Sequence, residues 1–252
     1  MVKIFLSGCN GRMGQVINSC VCTRDDCEIV AGADIFTEQK NGFPVFKSIA
    51  EFDGDCDVII DFSNPSALDG ILDFATRKKI PVVLATTGYS DRQKEKITAA
   101  SEITPVFYTA NMSIGVNLIA ELCKRAATVL EDDFDIEIIE AHHNQKLDAP
   151  SGTANMLAEA VIEGCNNKKQ LIYDRHDRRQ KRDKDEIGMH AVRGGTIVGE
   201  HSVMFAGRDE IITVSHSARS REIFAVGGLN AALFMVGKPA GLYNMGDLIG
   251  KC

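Results

Sequence analysis

Tryptophan is absent from the 252 residues, proline occurs only 6 times, and no low-complexity tract or internal repeat is present. A long disordered or fibrous chain is thereby excluded. No apolar run approaches the roughly 18 residues needed to span a bilayer, which argues against a membrane helix. The opening stretch, Met1 to Gly8, is far too short for a secretory h-region and reads as a strand, so a cytoplasmic protein is expected. Positive charge is in deficit, with 28 Lys and Arg against 35 Asp and Glu and a net charge of −7. That balance excludes a protein whose main task is to coat nucleic acid or an anionic membrane, and any anionic ligand has to be met locally. The eight cysteines form no CxxC pair, and Cys20-Val21-Cys22 has the wrong spacing for a redox or zinc knuckle. They are expected to be reduced, small and buried. No G-x-S-x-G elbow supports a serine hydrolase.

What is present is an ordinary globular composition, 44% apolar and 25% charged, in a chain long enough for two modest domains. The first third alternates short apolar runs with helical stretches: Val2–Ser7, Arg12–Cys22, Glu28–Ala33, Val58–Phe62, Ala67–Arg77, Pro81–Ala85, Asp91–Ser101 and Pro105–Thr109. This rhythm predicts βαβ units and a parallel sheet, and continuous runs such as Val58-Ile59-Ile60 suit strands covered on both faces. From about Ser113 the pattern changes. A helical run over Ile114–Leu130 leads to a strand, Asp135–Glu140, a helix over Gly152–Glu163, a β-rich stretch from Ala191 to Phe205 and another over Glu210–Ser215. Closely spaced strands predict an antiparallel or mixed sheet. The charged stretch Asp174–Glu186 interleaves six basic with five acidic residues and has no aromatics for base stacking, so it reads as a solvated loop rather than a nucleic-acid patch, and the sequence leaves open whether it is a lid.

Gly8-Cys9-Asn10-Gly11-Arg12-Met13-Gly14 follows a strand and opens a helix, the context that a dinucleotide fingerprint requires. Gly8 permits the tight turn, Gly11 the backbone's approach to a pyrophosphate and Gly14 close helix packing, while the helix start supplies partial positive charge. Asp34, twenty residues beyond Gly14, stands where an acid hydrogen-bonds the adenosine ribose. The alternative is a structural glycine turn with a surface acid. Ile35 follows Asp34, so no adjacent cation awaits a 2′-phosphate and NADH is favoured over NADPH, although Lys40 could substitute for that cation. Two further loops at the expected C-terminal sheet edge, Ala85-Thr86-Thr87-Gly88 and Thr109-Ala110-Asn111-Met112-Ser113, fit the nicotinamide end of such a cofactor and equally fit ordinary strand-exit turns.

Residues 137–154 gather His142, His143 and Lys146 ahead of Ser151-Gly152-Thr153-Ala154, a helix start whose free N–H groups would face an anion. Taken singly, each histidine is a core or surface residue and the lysine a solvated charge. Together they suit a small dianionic substrate. A zinc site from Glu140, His142 and His143 fails on geometry, because adjacent strand residues point to opposite faces. Hydride delivery to a carbon–carbon or carbon–nitrogen double bond needs a nicotinamide, a clamp for charge and a proton donor, and the chain has candidates for each.

The segment from Glu137 to Ala154 fills every specified position of E-[IV]-x-E-x-H-x3-K-x-D-x-P-S-G-T-A and so resembles the signature of the 4-hydroxy-tetrahydrodipicolinate reductase (dihydrodipicolinate reductase) family, of the lysine and diaminopimelate pathway. The resemblance extends to the N-terminal glycine motif, the Ala-Thr-Thr-Gly and Ala-Asn-x-Ser loops and Ile197-Val-Gly-Glu-His201, so it covers essentially the whole chain. It implies an α/β fold: a Rossmann-like parallel-sheet nucleotide-binding domain, residues 1–113 completed by 222–252, plus a smaller α+β substrate and tetramerisation domain, residues 114–221, with an open mixed sheet. It further implies a cytoplasmic homotetramer acting on a small dicarboxylate with NADH or NADPH. His142 resembles the family's acid–base histidine and Lys146 its catalytic lysine, while His143, Gly152 and Thr153 resemble substrate contacts. Gly8 to Met13, Asp34, Ala85 to Thr87 and Thr109 to Met112 resemble cofactor contacts. Some members carry Arg where Ile35 stands. Closure of two domains over the ligands is expected, because the two motifs lie in different domains. The rivals are another two-domain nicotinamide dehydrogenase, such as one acting on an amino acid, and a non-enzymatic dinucleotide sensor.

Overall fold

A computed structural model of the chain describes residues 1–38 and 41–250. The strands are β1 (Val2–Ser7), β2 (Cys27–Ala33), β3 (Val45–Phe46), β4 (Val58–Asp61), β5 (Val82–Leu84), β6 (Pro105–Tyr108), β7 (Asp135–His142), β8 (Gln170–Ile172), β9 (Glu186–Arg193), β10 (Gly199–Ala206), β11 (Ile211–Ala218) and β12 (Gly241–Tyr243). The helices are α1 (Arg12–Val21), α2 (Leu68–Lys78), α3 (Asp91–Ser101), α4 (Ile114–Leu130), α5 (Gly152–Gly164), α6 (Glu222–Met235) and α7 (Met245–Ile249). Among the described residues two compact units result, Met1–Ile114 with 221–250, and Gly115–Ser220.

In the first unit seven parallel strands run in the order β12-β6-β5-β4-β1-β2-β3. Alternation along each strand loads both faces. Ile4, Leu6, Val58, Ile60 and Val83 pack with Ile17 and Val21 of α1 and Ala225, Leu229 and Ala232 of α6. Their neighbours Phe5, Ile59, Val82 and Leu84 turn the other way, toward Leu68, Ile71 and Phe74 of α2 and Ile97 of α3. This two-sided burial is why these strands read as unbroken apolar runs. The apolar helix α6 lies close to the sheet because Gly227 and Gly228 bring no side chain: a Cβ on Gly227 would lie 1.7 Å from the Met112 carbonyl oxygen. The chain order turns back at β1, whose neighbours are β2 and β4, so the crevice of the sheet opens at the C-terminal ends of β1 and β4.

The second unit is a five-stranded mixed sheet, β11-β10-β7-β9-β8, in which β7 pairs antiparallel with β10 and parallel with β9. Burial alternates along β7: Ile136, Ile138, Glu140 and His142 are buried, their neighbours less so. The buried set joins Ile119, Cys123 and Ala127 of α4 and Leu157, Ala158 and Val161 of α5 in one core. The opposite face is open, with Ile139, Val192 and Ile211 among its exposed apolar residues.

Several boundaries differ from the sequence reading. The strand of the signature segment runs on to His142 rather than stopping at Glu140, because β9 and β10 keep pairing with it. The β-rich stretch resolves into β9, which begins earlier at Glu186, and β10. The charged stretch Asp174–Glu186 is a largely exposed loop, as the sequence reads, and its arginines tether it to β7 and to Glu186. Arg182 donates to Glu137, Asp135 and the Ile136 carbonyl, and Arg175 and Arg178 hold Glu186 at 2.6 and 3.0 Å. Glu137 lies on the face of β7 opposite Glu140 and His142. Among the described residues the seven cysteines are free, but Cys22 is exposed and Cys20 half-buried, so only five behave as small core residues; Cys252 lies outside the described residues.

Candidate active site

The glycine motif occupies the crevice at the end of β1. Gly8 has φ +79°, and a Cβ there would lie 2.6 Å from the Phe62 carbonyl oxygen in the loop after β4; at Gly14 it would lie 2.2 Å from the Gly8 carbonyl oxygen. No side chain fits either position. Gly11 caps α1 without a side chain and the first turn holds no acid, so the helix start is left to an external acceptor. That bare, positively polarised cradle is what a dinucleotide pyrophosphate requires. Burial first, and then Asp34, push the Cys9 thiol up to about 11, so it stays protonated and lines the turn as a small apolar residue.

Asn10 stitches the turn to the segment after β2. Its backbone N–H donates to Asp34 Oδ2 at 3.0 Å, its amide to the Phe36 and Glu38 carbonyls, and its Oδ1 accepts from Asn41. Asp34 Oδ1 accepts the Phe36 N–H at 3.1 Å, so this acid shapes its own loop. Arg12 and Met13 stand at the start of α1, and Ile35 is 79% exposed beside Asp34. Lys40 lies outside the described residues. The Ala85-Thr86-Thr87 and Thr109-Ala110-Asn111-Met112 loops follow β5 and β6 on the same edge of the sheet. Thr86 Oγ1 accepts the Ser63 N–H at 2.9 Å, and the fully buried Asp61 gathers the Ser63 and Tyr89 hydroxyls. Asn111 Oδ1 accepts the Ser113 N–H.

In the second unit a polar network forms at the C-terminal end of β7. His142 is 8% exposed and Glu140 not at all. His142 Nδ1 lies 2.6 Å from Glu140 Oε2. Arg193, at the end of β9, clamps both oxygens of Glu140 at 2.8 and 2.7 Å, and Ser151 N–H donates to Oε1 at 3.1 Å. Burial alone would raise the Glu140 pKa, but the hydrogen bonds from Arg193 and His142 outweigh it and hold the carboxyl below its ordinary range. His201 of β10 meets the His142 ring edge to face at 5.1 Å. Burial, then the neighbouring His142, lowers the His201 pKa to about 4, so that ring is neutral at physiological pH.

Lys146 lies in the loop after β7, its ammonium 2.9 Å from Asp148. His143 contributes its backbone to this arrangement, its carbonyl accepting the Lys146 N–H at 3.2 Å. Ser151 caps α5 by accepting the Ala154 N–H at 3.1 Å. Gly152 and Thr153 form the first turn of α5, which holds no acid. A Cβ on Gly152 would meet no atom within 4 Å, so the chain's own packing does not demand a glycine there. Among the described residues no group of three or more His, Cys, Asp or Glu side chains is gathered to hold a metal ion, and no helix is long and apolar enough to cross a membrane.

Residues 2–112 match the model of the dihydrodipicolinate reductase N-terminus and residues 115–249 that of its C-terminus. The chain belongs to the dihydrodipicolinate reductase family. Among its relatives, the 4-hydroxy-tetrahydrodipicolinate reductase of Clostridium tetani is 51% identical over 251 residues, spanning 100% of this chain and 98% of the relative. That of Caldanaerobacter subterraneus is 48% identical over 100% and 99%. A solved structure, the dipicolinate-bound dihydrodipicolinate reductase from Paenisporosarcina, superposes with a TM-score of 0.79 at 26% identity, covering 97% of both chains.

Within this family site, sequence reasoning overlooked Arg193 altogether and weighed Glu140 only as a metal ligand. Arg193 is 53 residues from the carboxylate it clamps, and nothing in its local sequence announces that partner. Alternation did carry a signal for Glu140. It is two residues from His142 on a strand, hence on the same face, and a buried acid beside a histidine is a candidate partner.

Proposed function

We propose that the chain reduces 4-hydroxy-tetrahydrodipicolinate to tetrahydrodipicolinate in lysine and diaminopimelate biosynthesis, using a nicotinamide nucleotide. The carrying observation is the assembly of His142, Lys146 and the Gly152-Thr153 helix start, with open space beside Gly152, at one end of β7, in a chain 51% identical over its full length to a relative of that name. An amino-acid dehydrogenase or a nucleotide sensor would share the Gly8–Gly14 cradle but have no need of this segment.

The net change replaces a hydroxyl by hydrogen: one hydride and one proton enter and one water leaves. The bound reduced nicotinamide supplies the hydride. Gly8, Gly11 and the start of α1 bind the pyrophosphate, with Cys9, Asn10, Arg12 and Met13 around it. Asp34 receives the adenosine ribose, and the Ala85–Thr87 and Thr109–Met112 loops flank the nicotinamide end. Lys146 and the N–H groups of Gly152 and Thr153 bind the substrate carboxylates, with His143 completing the clamp. His142 delivers the proton from Nε2, the ring nitrogen that Glu140 does not engage, and Lys146 stabilises the charge that the transfer leaves behind.

NADH is the preferred donor. Asp34 is followed by the exposed, uncharged Ile35, which offers nothing to a 2′-phosphate. Residues 1–113 with 222–252 form the nucleotide domain and 114–221 the substrate domain, whose open sheet face, with Ile139, Val192 and Ile211, joins four copies in the cytoplasm.

The test is oxidation of NADH and of NADPH, separately, with substrate freshly made by the preceding synthase. Turnover that 2,6-pyridinedicarboxylate inhibits supports the reaction, and no turnover with either nucleotide overturns it. Turnover equal for the two, or greater with NADPH, overturns the NADH preference alone.

A further inference from the structure

Two residues apart on β7, Glu140 and His142 share the inner face of the sheet. The parallel register of β9 sets Arg193 opposite His142, from where its guanidinium reaches back to Glu140. The carboxylate therefore takes four donors: two from Arg193, the Ser151 N–H and the His142 ring. Arg193 Nη2 also donates to the Asp148 carbonyl at 2.7 Å, and the Asp148 carboxylate holds Lys146. One guanidinium is thus tied to the supports of both His142 and Lys146.

An ionised carboxylate only accepts hydrogen bonds, so the ring atom 2.6 Å from Glu140 must carry a proton. A fully buried carboxylate beside a histidine would, alone, favour the imidazolium strongly and weaken it as an acid. Arg193 offsets that charge at hydrogen-bond distance. We infer that Glu140 and Arg193 are positioning residues for His142: Glu140 fixes the ring with its proton on Nδ1 and Nε2 as the reacting nitrogen, and Arg193 withholds part of the carboxylate's charge, so the pair sets the acidity of His142. The inference rests on His142 being the proton donor of the reductase reaction.

The other titratable groups about this ring do not duplicate the pair. His201 faces it from β10 and is neutral, and His216 stands beside His201 on β11. Lys146 and Asp148, in the loop after β7, are paired with each other. The first turn of α5 brings the Ser151 hydroxyl and no acid. The charged residues of α4 are Glu121, Lys124 and Arg125, and Lys124 is taken by Glu163 near the end of α5.

The test combines the pH dependence of kcat/KM for the wild type, Glu140→Gln and Arg193→Met with histidine-ring 15N spectra of the ligand-free wild type, assigned with His142→Asn. In the neutral wild-type ring the proton should sit on Nδ1. A donor must be protonated, so activity falls as pH rises through its pKa. Glu140→Gln should move that falling limb down by about one pH unit or more, and Arg193→Met should move it up by a similar amount. A residue acting only as a structural brace would lower the amplitude and leave the limb in place. A wild-type ring protonated on Nε2, or two folded variants that keep the wild-type limb, overturns the inference. If the variants do not fold, the wild-type spectra decide. Absence of turnover by the wild type counts against the reductase reading, and the spectra still decide the role of Glu140.

Discussion

The Ser151 hydroxyl meets the His201 imidazole at 2.9 Å while the same oxygen accepts the Ala154 N–H at 3.1 Å. The cap of α5 is thereby tied to β10, and the helix start that would receive a carboxylate is fixed to the sheet carrying His142. Ser151→Ala removes a side-chain cap, worth about 1 kcal/mol, and strands a buried ring nitrogen, costing about 1–3 kcal/mol. His201 Nδ1 already has no partner among the described residues. Urea denaturation should show a total loss of about 2–4 kcal/mol, with Ser151→Thr retaining most of the stability. A change below about 0.5 kcal/mol, the range of an ordinary surface substitution, would mean that the cap and the ring contact are incidental.

His201 also gives the fold a pH dependence of defined sign. Burial, aided by His142, lowers its folded-state pKa from 6.5 to about 4. Between these values the unfolded chain binds a proton that the folded chain refuses, so stability is fully present above pH 6.5 and declines as pH falls toward 4, by about 3 kcal/mol in all. Glu140 adds to this at lower pH. Its depressed folded pKa contributes stability that is present above the unfolded carboxylate value and lost as pH falls through the folded one. Thermal melts across this range should show His201→Gln with a flatter dependence than the wild type. Parallel curves would remove His201 as the cause.

The glycine motif was legible because its constraint is local: Gly8 and Gly14 are dictated by carbonyl oxygens a few ångströms away in the same turn and its neighbouring loop. Two-sided burial of β1, β4 and β5 was legible from their continuous apolar runs. The length of β7 was not, since its last two residues are held by pairing with Arg193 and Glu200, partners more than 50 residues distant. The two- and three-residue strands β3, β8 and β12 show no period and, unlike the equally short β5, no continuous apolar run. The Glu140–Arg193 clamp escaped for the same reason as the end of β7: side-chain pairing across a sheet depends on register, which composition and periodicity do not encode.

The charged stretch before β9 was legible as a solvated loop, but its sequence shows only charges, not what they meet. Arg182 is 16% exposed and bridges Asp135, Glu137 and three backbone carbonyls. Arg182→Ala leaves these acceptors without their shared donor and should cost about 2–3 kcal/mol. Lysine, a point charge, cannot span the same set and should rescue only part. Denaturation midpoints should fall while the substrate KM stays near wild type. A large KM change with unaltered stability would mean that the segment acts on substrate binding rather than on the fold.

Gly14 and Gly152 should separate folding from binding. A Cβ on Gly14 would lie 2.2 Å from the Gly8 carbonyl oxygen, a backbone atom with nowhere to move, whereas one on Gly152 would meet nothing within 4 Å. Gly14→Ala is expected to destabilise the protein by about 1–3 kcal/mol, as overpacking does, and to abolish nucleotide binding. Gly152→Ala should keep or slightly raise thermal stability, since alanine suits a helix better, yet raise the KM for the dicarboxylate about tenfold by filling space reserved for it. Calorimetry and steady-state kinetics on the two variants check both halves. Unchanged kinetics in Gly152→Ala would remove the start of α5 from the substrate site.

The proposed preference for NADH can be tested at one position. Asp34 spends an oxygen on the Asn10 N–H and another on the Phe36 N–H, which fixes its carboxylate in place. A 2′-phosphate would meet that charge with only the apolar, exposed Ile35 beside it. Ile35→Arg places a guanidinium where a phosphate can be clamped, and a charge-assisted contact at an exposed site is worth roughly 1–2 kcal/mol. The ratio of kcat/KM for NADPH over NADH should therefore rise about tenfold, chiefly through the KM for NADPH. Because Asp34 is held by two backbone donors, it cannot swing aside as a free side chain would, so arginine alone should move the preference without fully reversing it. Ile35→Arg with Asp34→Asn should go further, since that pair removes the repulsion as well as adding the attraction. If both variants keep the wild-type ratio, discrimination between the two nucleotides lies elsewhere on the chain.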